Sequence, residues 1–293
     1  MGLSLFKRSR AIKFRLRQQF LTIRAALRHR RRLNSATFRN IEPLEGRVLL
    51  STVAWDGGGD GTTWSDPLNW SNDVVPGPDD DVTIDVPGTP TILMTDGSSR
   101  SVRSLMSAEA IELSGGTLSV STSSTLSDIS LLNGTITGSG NITITDSLLW
   151  SGGRMSGSGV TTLGSGATGT ISSFTQKDLH RELVVQGTVN YSDDNLAFGS
   201  AGTLTVPVGG VFNFIGDSSL RNNGLGSKVN LSGALVKFSG TGSSRVEVPL
   251  NSNGGTINAQ SGAVELRGGG SFVGTSHHMG GVRIGAGTYE FLA

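Results

Sequence analysis

The groups in this sequence that could carry hydrolytic chemistry are scattered acids and a few histidines. A glycosidase needs two carboxylates that flank one groove, roughly 5–9.5 Å apart. The candidate carboxylates are Asp193 and Asp194 in combination with Asp178, Glu182 or Asp217. Adjacent residues of a strand point to opposite faces, and the phrase Asp-Asp-Asn at 193–195 is typical of a turn. The pattern therefore favours a structural role for these acids over a catalytic pair.

Serine, metal and cysteine chemistry have even less support. Serine hydrolysis requires Ser, His and Asp to converge, and the chain has no nucleophile-elbow phrase. His277 and His278 fall in a Gly/Ser loop without nearby carboxylates, and His180 also lacks a partner in the sequence. The absence of Cys excludes disulfides, thiolate metal sites and cysteine enzymes. We expect a protein without catalytic residues, bound cofactor or metal.

Aspartates in residues 54–86 raise calcium binding as an alternative. They are Asp56, Asp60, Asp66 and the run Asp79, Asp80 and Asp81. Calcium-binding nonapeptides need repeated G-G-x-G-x-D phrases, which residues 57–60 do not reproduce. An EF-hand needs alternating ligands and a Glu at its twelfth position, which are also absent. Turn formation is the favoured interpretation, and calcium is the weaker one.

The net charge of +1 hides two oppositely charged segments. Residues 1–50 carry thirteen Lys/Arg and two acids, a net charge of +11, whereas residues 51–293 carry eleven Lys/Arg and 21 acids, a net charge of −10. Only two of the 43 glycines precede residue 51. The composition predicts a basic arm over residues 1–51 and a separate body. The acidic charge of the body argues against nucleic-acid binding by it.

The basic arm has the pattern of an amphipathic helix. The apolar residues on its one face are Ile12, Leu16, Phe20, Ile23 and Leu27, and arginines surround them. Such a helix suits an anionic membrane surface, although no stretch has the about 18 apolar residues of a spanning helix. An export signal is the favoured interpretation, with a candidate cleavage site after Ala54. Nuclear or nucleic-acid targeting, a disordered arm and a permanent membrane-surface anchor stay open as alternatives.

A short motif ends the arm. Residues 44–51 read LEGRVLLS and resemble the LEPR-XLL motif, which closes the Arg-rich N-terminus of large exported proteins best known from planctomycete bacteria. The matching positions are Leu44, Glu45, Arg47, Leu49 and Leu50, and Gly46 stands where the family has Pro. The resemblance implies a targeting motif, the export machinery as partner of the arm, and an extracellular or cell-surface location.

The elements behind the arm are short β-favouring runs separated by Gly, Ser and Asn. Residues 52–86 hold Trp55, Trp64 and Trp70 among turn formers. Large aromatics on such a loop can cover the open first edge of stacked strands. Over residues 87–293 a Gly-Thr-apolar-x-apolar phrase recurs, for example at Gly116 and Gly134, while aromatics are sparse. The pattern predicts an all-β protein, a parallel β-helix of about ten rungs with the Trp-rich segment as its cap.

The body also resembles a known kind of protein. Residues 132–163, LNGTITGSGNITITDSLLWSGGRMSGSGVTTL, are similar to a repeat unit of β-helical bacterial surface proteins of the autotransporter or adhesin kind. The resemblance implies a structural or adhesive module with carbohydrate or cell-surface matrix as its partner. The alternative is a polysaccharide lyase or hydrolase on the same architecture. The sequence stops after the strand-like Thr288–Phe291 without a polar cap, which favours either a longer protein or association through that end.

Overall fold

The computed structural model describes residues 51–192, 196–273 and 278–292. Their secondary structure consists of short strands and the two 3₁₀ turns Pro67–Asn69 and Ser71–Asp73. The strands are β1 (Ser51–Ala54), β2 (Asp80–Ile84), β3 (Ile92–Met94), β4 (Ser99–Val102), β5 (Ser104–Ser107), β6 (Ile111–Leu113), β7 (Thr117–Val120), β8 (Ser124–Leu131), β9 (Thr135–Thr137), β10 (Ile142–Trp150), β11 (Gly153–Met155), β12 (Val160–Leu163), β13 (Thr168–Ile171), β14 (Lys177–Leu179), β15 (Glu182–Val185), β16 (Thr188–Tyr191), β17 (Leu196–Phe198), β18 (Thr203–Val206), β19 (Val211–Phe214), β20 (Leu220–Asn222), β21 (Lys228–Leu231), β22 (Ala234–Lys237), β23 (Ser243–Val246), β24 (Leu250–Asn253), β25 (Thr256–Ala259), β26 (Ala263–Leu266), β27 (Gly270–Val273), β28 (His278–Gly280), β29 (Val282–Ile284) and β30 (Tyr289–Leu292).

The strands stack into three faces, and neighbouring strands within each face run parallel. Face 1 consists of β1, β2, β5, the first halves of β8 and β10, and every third strand from β12 to β30. Face 2 consists of β3, β6, the second halves of β8 and β10, and every third strand from β13 to β28. Face 3 consists of β4, β7, β9, β11 and every third strand from β14 to β29. The predicted parallel β-helix is confirmed.

One turn of this solenoid takes 18 to 26 residues, since Leu126 pairs with Ile144 and Leu220 pairs with Val246. Face 3 contains ten strands and therefore ten rungs, as the sequence predicted. Neighbouring strands lie about 4.8 Å apart, so ten rungs extend on the order of 45 Å along the axis. The strands β8 and β10 run through two faces without a turn, which joins faces 1 and 2 into one sheet of twenty strands.

Inward residues at one register position form rows along the axis. A row on face 2 contains Ile92, Ile111, Ile129, Leu148, Gly169, Val189, Phe212, Leu235 and Ile257. The core is aliphatic in the early rungs and aromatic in the middle, where Tyr191, Phe212 and Phe214 contact each other with ring centroids 5.6 to 6.1 Å apart. Buried aromatics also occur outside this cluster, at Trp150 and Phe272, whereas Phe174 and Phe238 are exposed.

The corners between faces depend on glycine. Gly138 follows β9 with a φ of 106°, a conformation that residues with a side chain rarely adopt. A Cβ at this position would also overlap the carbonyl oxygen of Val120 in the preceding rung. Close stacking of consecutive rungs therefore leaves no room for any other residue at this corner.

The Trp-rich segment packs against the first rung with its three tryptophans. Trp70 contacts Trp55 and Trp64 with ring centroids 4.8 Å apart in each pair, and all three side chains are buried. The loop also pairs with β3, because Leu93 donates its N–H to Thr62 and accepts one from Trp64. The strands β1 and β2, which lie in this segment, are the first two strands of face 1. The cap and the solenoid therefore share one sheet and one core.

Candidate functional site

The carboxylates considered for catalysis are engaged at separate places. Asp178 lies on face 3 and accepts a hydrogen bond from Arg154 at 3.2 Å. Glu182 lies on face 1 and accepts one from the Thr205 hydroxyl at 2.7 Å. Residues 193–195, which include the other two candidates, lie outside the described part of the chain. The described carboxylates do not share a partner, so their contacts are those of structural acids.

The third carboxylate, Asp217, is half exposed and pairs with a buried lysine. Lys237 follows Phe214 in an inward row of face 2, and its side chain is fully buried. Its ammonium donates to the Asp217 carboxylate at 2.6 Å, to the Gly216 carbonyl at 2.6 Å and to the Ser239 carbonyl at 2.9 Å. The hydrogen bond from Lys237 lowers the pKa of Asp217. The pair holds the corner between faces 2 and 3.

Two further cations are buried at corners. Lys177 is fully buried and donates to three backbone carbonyls within residues 172–175 at 2.7 to 3.3 Å. Arg181 is nearly as buried and donates to the carbonyls of Gly159 and Gly140 at 2.9 and 3.0 Å. Sequence reasoning missed these cations because a basic residue in an alternating strand is expected to face the solvent. The signal that could have found them is their alignment with inward-facing residues of neighbouring rungs. This alignment can be recognised only when the strand boundaries are known.

The histidines do not form a site with the acids. The imidazole of His180 packs against the backbone of Gly199, where a Cβ would overlap the ring. His277 and the side chain of His278 lie outside the described residues. In the part of the chain that the structure describes, no group of three or more His, Asp or Glu is arranged to hold a metal ion.

The aspartates considered for calcium fix turns of the cap. Asp60 accepts the backbone N–H groups of Thr62 and Thr63 at 2.9 and 2.8 Å and the side-chain amide of Asn69 at 2.8 Å. Hydrogen bonds from Thr63, Thr62 and Asn69 lower the pKa of Asp60. Asp66 in turn accepts the N–H of Asp60 at 3.1 Å. These carboxylate oxygens are occupied by the loop itself.

Face 1 presents a row of mainly uncharged polar side chains, the polar row. Its members are Thr83, Met106, Thr125, Thr143, Thr162, Val184, Thr205, Asn230, Asn251, Ser271 and Glu290. Outward charged residues occur on face 1 as well as on face 3, for example Lys228 and Arg154. Within the polar row, hydroxyl or amide groups stand at eight of the eleven positions, the exceptions being Met106, Val184 and Glu290.

A groove of about 360 Å³ lies beside the start of the polar row. It spans the first four rungs at the bend from face 1 to face 2. The side chains that define it are Thr83, Asp85, Met106, Thr125, Ser127 and Thr145. Because neighbouring rungs are about 4.8 Å apart, the groove extends about 14 Å along the axis.

A β-bulge closes the far end of the groove. Leu126 pairs with Ile144 and Asp128 pairs with Ser147, so Ser127 opposes two residues, 145 and 146. An extra residue in one strand bends it and re-aims a side chain. Thr145 accordingly belongs to the groove lining, although the polar row passes through Thr143 in the same rung.

The targeting residues are placed as follows. Leu44, Glu45, Arg47, Leu49 and Leu50 lie outside the described residues. The candidate cleavage site Ala54 is exposed and ends β1, whereas Trp55 is buried and donates its backbone N–H to Thr83 at 2.9 Å. Cleavage after Ala54 would cut the chain between β1 and the rest of the solenoid. A protease would therefore have to reach the peptide bond between Ala54 and Trp55 before β1 pairs with β2.

Comparisons with known proteins give no guide to the function of this chain, so a functional assignment depends on its sequence and structure. No family model, curated protein or solved structure matches this chain. Within the described residues no helix has the length and apolar character needed to cross a membrane.

Proposed function

We propose that this protein is an exported cell-surface or extracellular solenoid with a structural or adhesive role and without catalytic chemistry. The observation that carries the proposal is the polar row, which repeats one side chain per rung along a continuous parallel sheet. A surface of this kind offers many weak, equivalent contacts to a polymer, and such contacts add up when they act together.

The interior of the solenoid suits a passive, stiff element. Apart from the first and last strands, each strand within a face is hydrogen-bonded to a strand on either side, and Trp64 and Trp70 of the cap are buried at the first rung. The buried cations at Lys177, Arg181 and Lys237 satisfy carbonyls at corners that the ladders do not reach. A fold with few exposed backbone groups resists proteolysis, which an extracellular protein needs.

The proposed location is supported by the sequence. The arm carries a net charge of +11 and ends in a motif that resembles LEPR-XLL, with Leu44, Glu45 and Arg47 among the matching residues. A basic segment of this kind can engage an anionic membrane surface or the export machinery. The body that follows has the opposite charge and would be repelled by the same surface.

Labelling of cells tests the location. An antibody raised against residues 51–293 should label intact cells of the native host that express the full-length protein. A variant with Arg47→Ala, Leu49→Ala and Leu50→Ala should be labelled only after permeabilisation. Label that requires permeabilisation for the unaltered protein would contradict the proposal.

A polysaccharide lyase or hydrolase is the alternative function, favoured by the occurrence of such enzymes on β-helical folds. It would require carboxylates that converge on one groove. We expect no release of reducing or unsaturated sugars when the purified full-length protein is incubated with a panel of polysaccharides. Turnover that disappears on Asp193→Ala or Asp194→Ala would establish the enzyme instead.

A further inference from the structure

The groove beside the polar row offers free hydrogen-bonding groups. Thr125 is exposed, Thr83 is half-buried, and neither hydroxyl has a hydrogen-bond partner in the part of the chain that the structure describes. Thr145 is also exposed, and its hydroxyl makes only a long contact of 3.4 Å to the Leu126 carbonyl. A hydroxyl can both donate and accept a hydrogen bond. Thr83, Thr125 and Thr145, which lie in three different rungs, can therefore bond to ligand hydroxyls in either direction.

Between these hydroxyls lies an apolar platform. Met106 sits between Thr83 and Thr125 in the polar row and is 60% exposed. Ala108 lines the groove beside it. A thioether side chain adapts its shape to irregular apolar surfaces. The groove thus combines an apolar floor with hydroxyl groups on either side, which matches a ligand that has C–H faces and hydroxyl edges.

Charge restricts the ligand further. Residues 51–150 carry thirteen acids and two Lys/Arg, a net charge of −11. Asp85 lines the groove and Asp128 lies next to Ser127, while no Lys or Arg is among the lining residues. An anionic polymer would meet repulsion here without a compensating cation. Charge therefore argues against acidic polysaccharides as ligands of this groove.

A peptide is a poorer fit than a sugar chain. Extended peptides are recognised by adding a strand to a free sheet edge. Strands β5, β8 and β10 around the groove are already paired on both sides. The available contacts are therefore side-chain hydroxyls and one thioether, arranged along the axis with the repeat of the rungs.

We infer that this groove is a binding site for a neutral polysaccharide, with the chain of the sugar running along the axis across Thr83, Met106 and Thr125 and ending against Thr145. The inference rests on the proposed adhesive function and names the ligand class and the site for it. The bulge at residues 145 and 146 places Thr145 at the last contact of the groove.

Biolayer interferometry with the immobilised full-length protein tests the site. The probes are three neutral polymers, hydroxyethylcellulose, dextran and galactomannan, with carboxymethylcellulose as the anionic counterpart of the first. Thr125→Arg fills the groove, and Thr170→Arg is the matched control because Thr170 is an exposed strand residue of face 2, outside both the groove and the polar row. We expect at least one neutral polymer to bind, with an affinity that falls at least about tenfold in Thr125→Arg and stays unchanged in Thr170→Arg.

A second pair of variants removes only a hydroxyl. Thr145→Val should weaken the same binding, whereas Thr170→Val should not, and circular dichroism should show the same fold in all four variants. Any carboxymethylcellulose that binds should do so through the basic arm. Thr125→Arg and the unaltered protein should therefore retain it equally. Absence of binding to all three neutral polymers, or equal binding by Thr125→Arg, would overturn the inference. Labelling of intact cells tests the location independently of these binding results. If the protein were surface-exposed but its groove bound no neutral polymer, the site would be refuted and the location would stand.

Discussion

The guanidinium of Arg181 donates a hydrogen bond of 3.0 Å to the carbonyl of Gly140, which lies 41 residues earlier and two rungs away. It also donates to Gly159 in the rung between them. Burial lowers the pKa of Arg181 to about 10, so the side chain is charged at neutral pH. One side chain thus ties three consecutive rungs together at a corner where no strand ladder exists.

Replacement of Arg181 by Met should destabilise the solenoid. Two buried carbonyls would lose charge-assisted hydrogen bonds, partly offset by the removal of a buried charge, for a net loss of about 2 kcal/mol. Urea unfolding measures the change. Arg154→Met is the control, because that half-exposed ion pair contributes less than about 1 kcal/mol. Equal unfolding midpoints for the two variants would show that the tie has no energetic role.

Two effects require glycine at the corners, and they can be measured separately. One is the backbone strain of a positive φ, and the other is the close approach of the preceding rung. Gly166 has a φ of 85° with open space around it, so Gly166→Ala should cost about 1–2 kcal/mol from backbone strain alone. Gly138→Ala should cost at least about 3 kcal/mol, because its Cβ also meets the Val120 carbonyl. Denaturant unfolding of both variants gives the difference. If the two costs were the same, the close stacking of rungs would not be the reason for glycine at 138.

The Lys237–Asp217 pair should make stability depend on pH in the acid range. The folded-state pKa of Asp217 lies below its ordinary value of 3.8. Its contribution is therefore complete above 3.8 and is lost as the pH falls through the lowered folded value. Asp217→Asn should lower the free energy of unfolding at pH 7 by up to about 1 kcal/mol, since the carboxylate is half exposed. The same variant should lose less stability than the unaltered protein on acidification below 3.8.

Unfolding titrations at pH 7 and pH 3 give both numbers for Asp217→Asn and for the unaltered chain. The control is Asp178→Asn, whose partner Arg154 is half exposed and leaves no buried charge behind. A parallel decline of both variants and the unaltered protein with acid would contradict the role assigned to the pair.

The cap should protect one end of the solenoid only. Trp70→Ala removes a fully buried ring and the hydrogen bond from its indole N–H to the Trp64 carbonyl at 2.7 Å, at a cost of about 3–5 kcal/mol. The strands of the solenoid pair only with those of neighbouring rungs, so amide hydrogen exchange should accelerate in β1–β3 and stay unchanged in the distant β22–β26. Leu68→Ala, in the same loop but half exposed, should leave both regions unchanged. Uniform acceleration along the chain would contradict a local cap.

The strands were predictable because alternation with a period of two fixes which residues face inward. The recurring phrases at Gly116 and Gly134, for example, lead directly into β7 and β9. The buried cations were not predictable, because Lys177 and Lys237 look like surface residues until the register of each rung is known. The groove depends on a bulge that appears only when β8 and β10 are paired. Pairing between rungs is information that a local pattern does not contain.

Detachment of cells under increasing shear from a surface coated with the neutral polymer that binds best tests the adhesive role most directly. Cells of the native host that produce the unaltered protein should hold at higher shear than cells that lack it. Thr170→Arg should restore the attachment of the deficient cells, and Thr125→Arg should not. Equal detachment of cells with and without the protein would contradict the account.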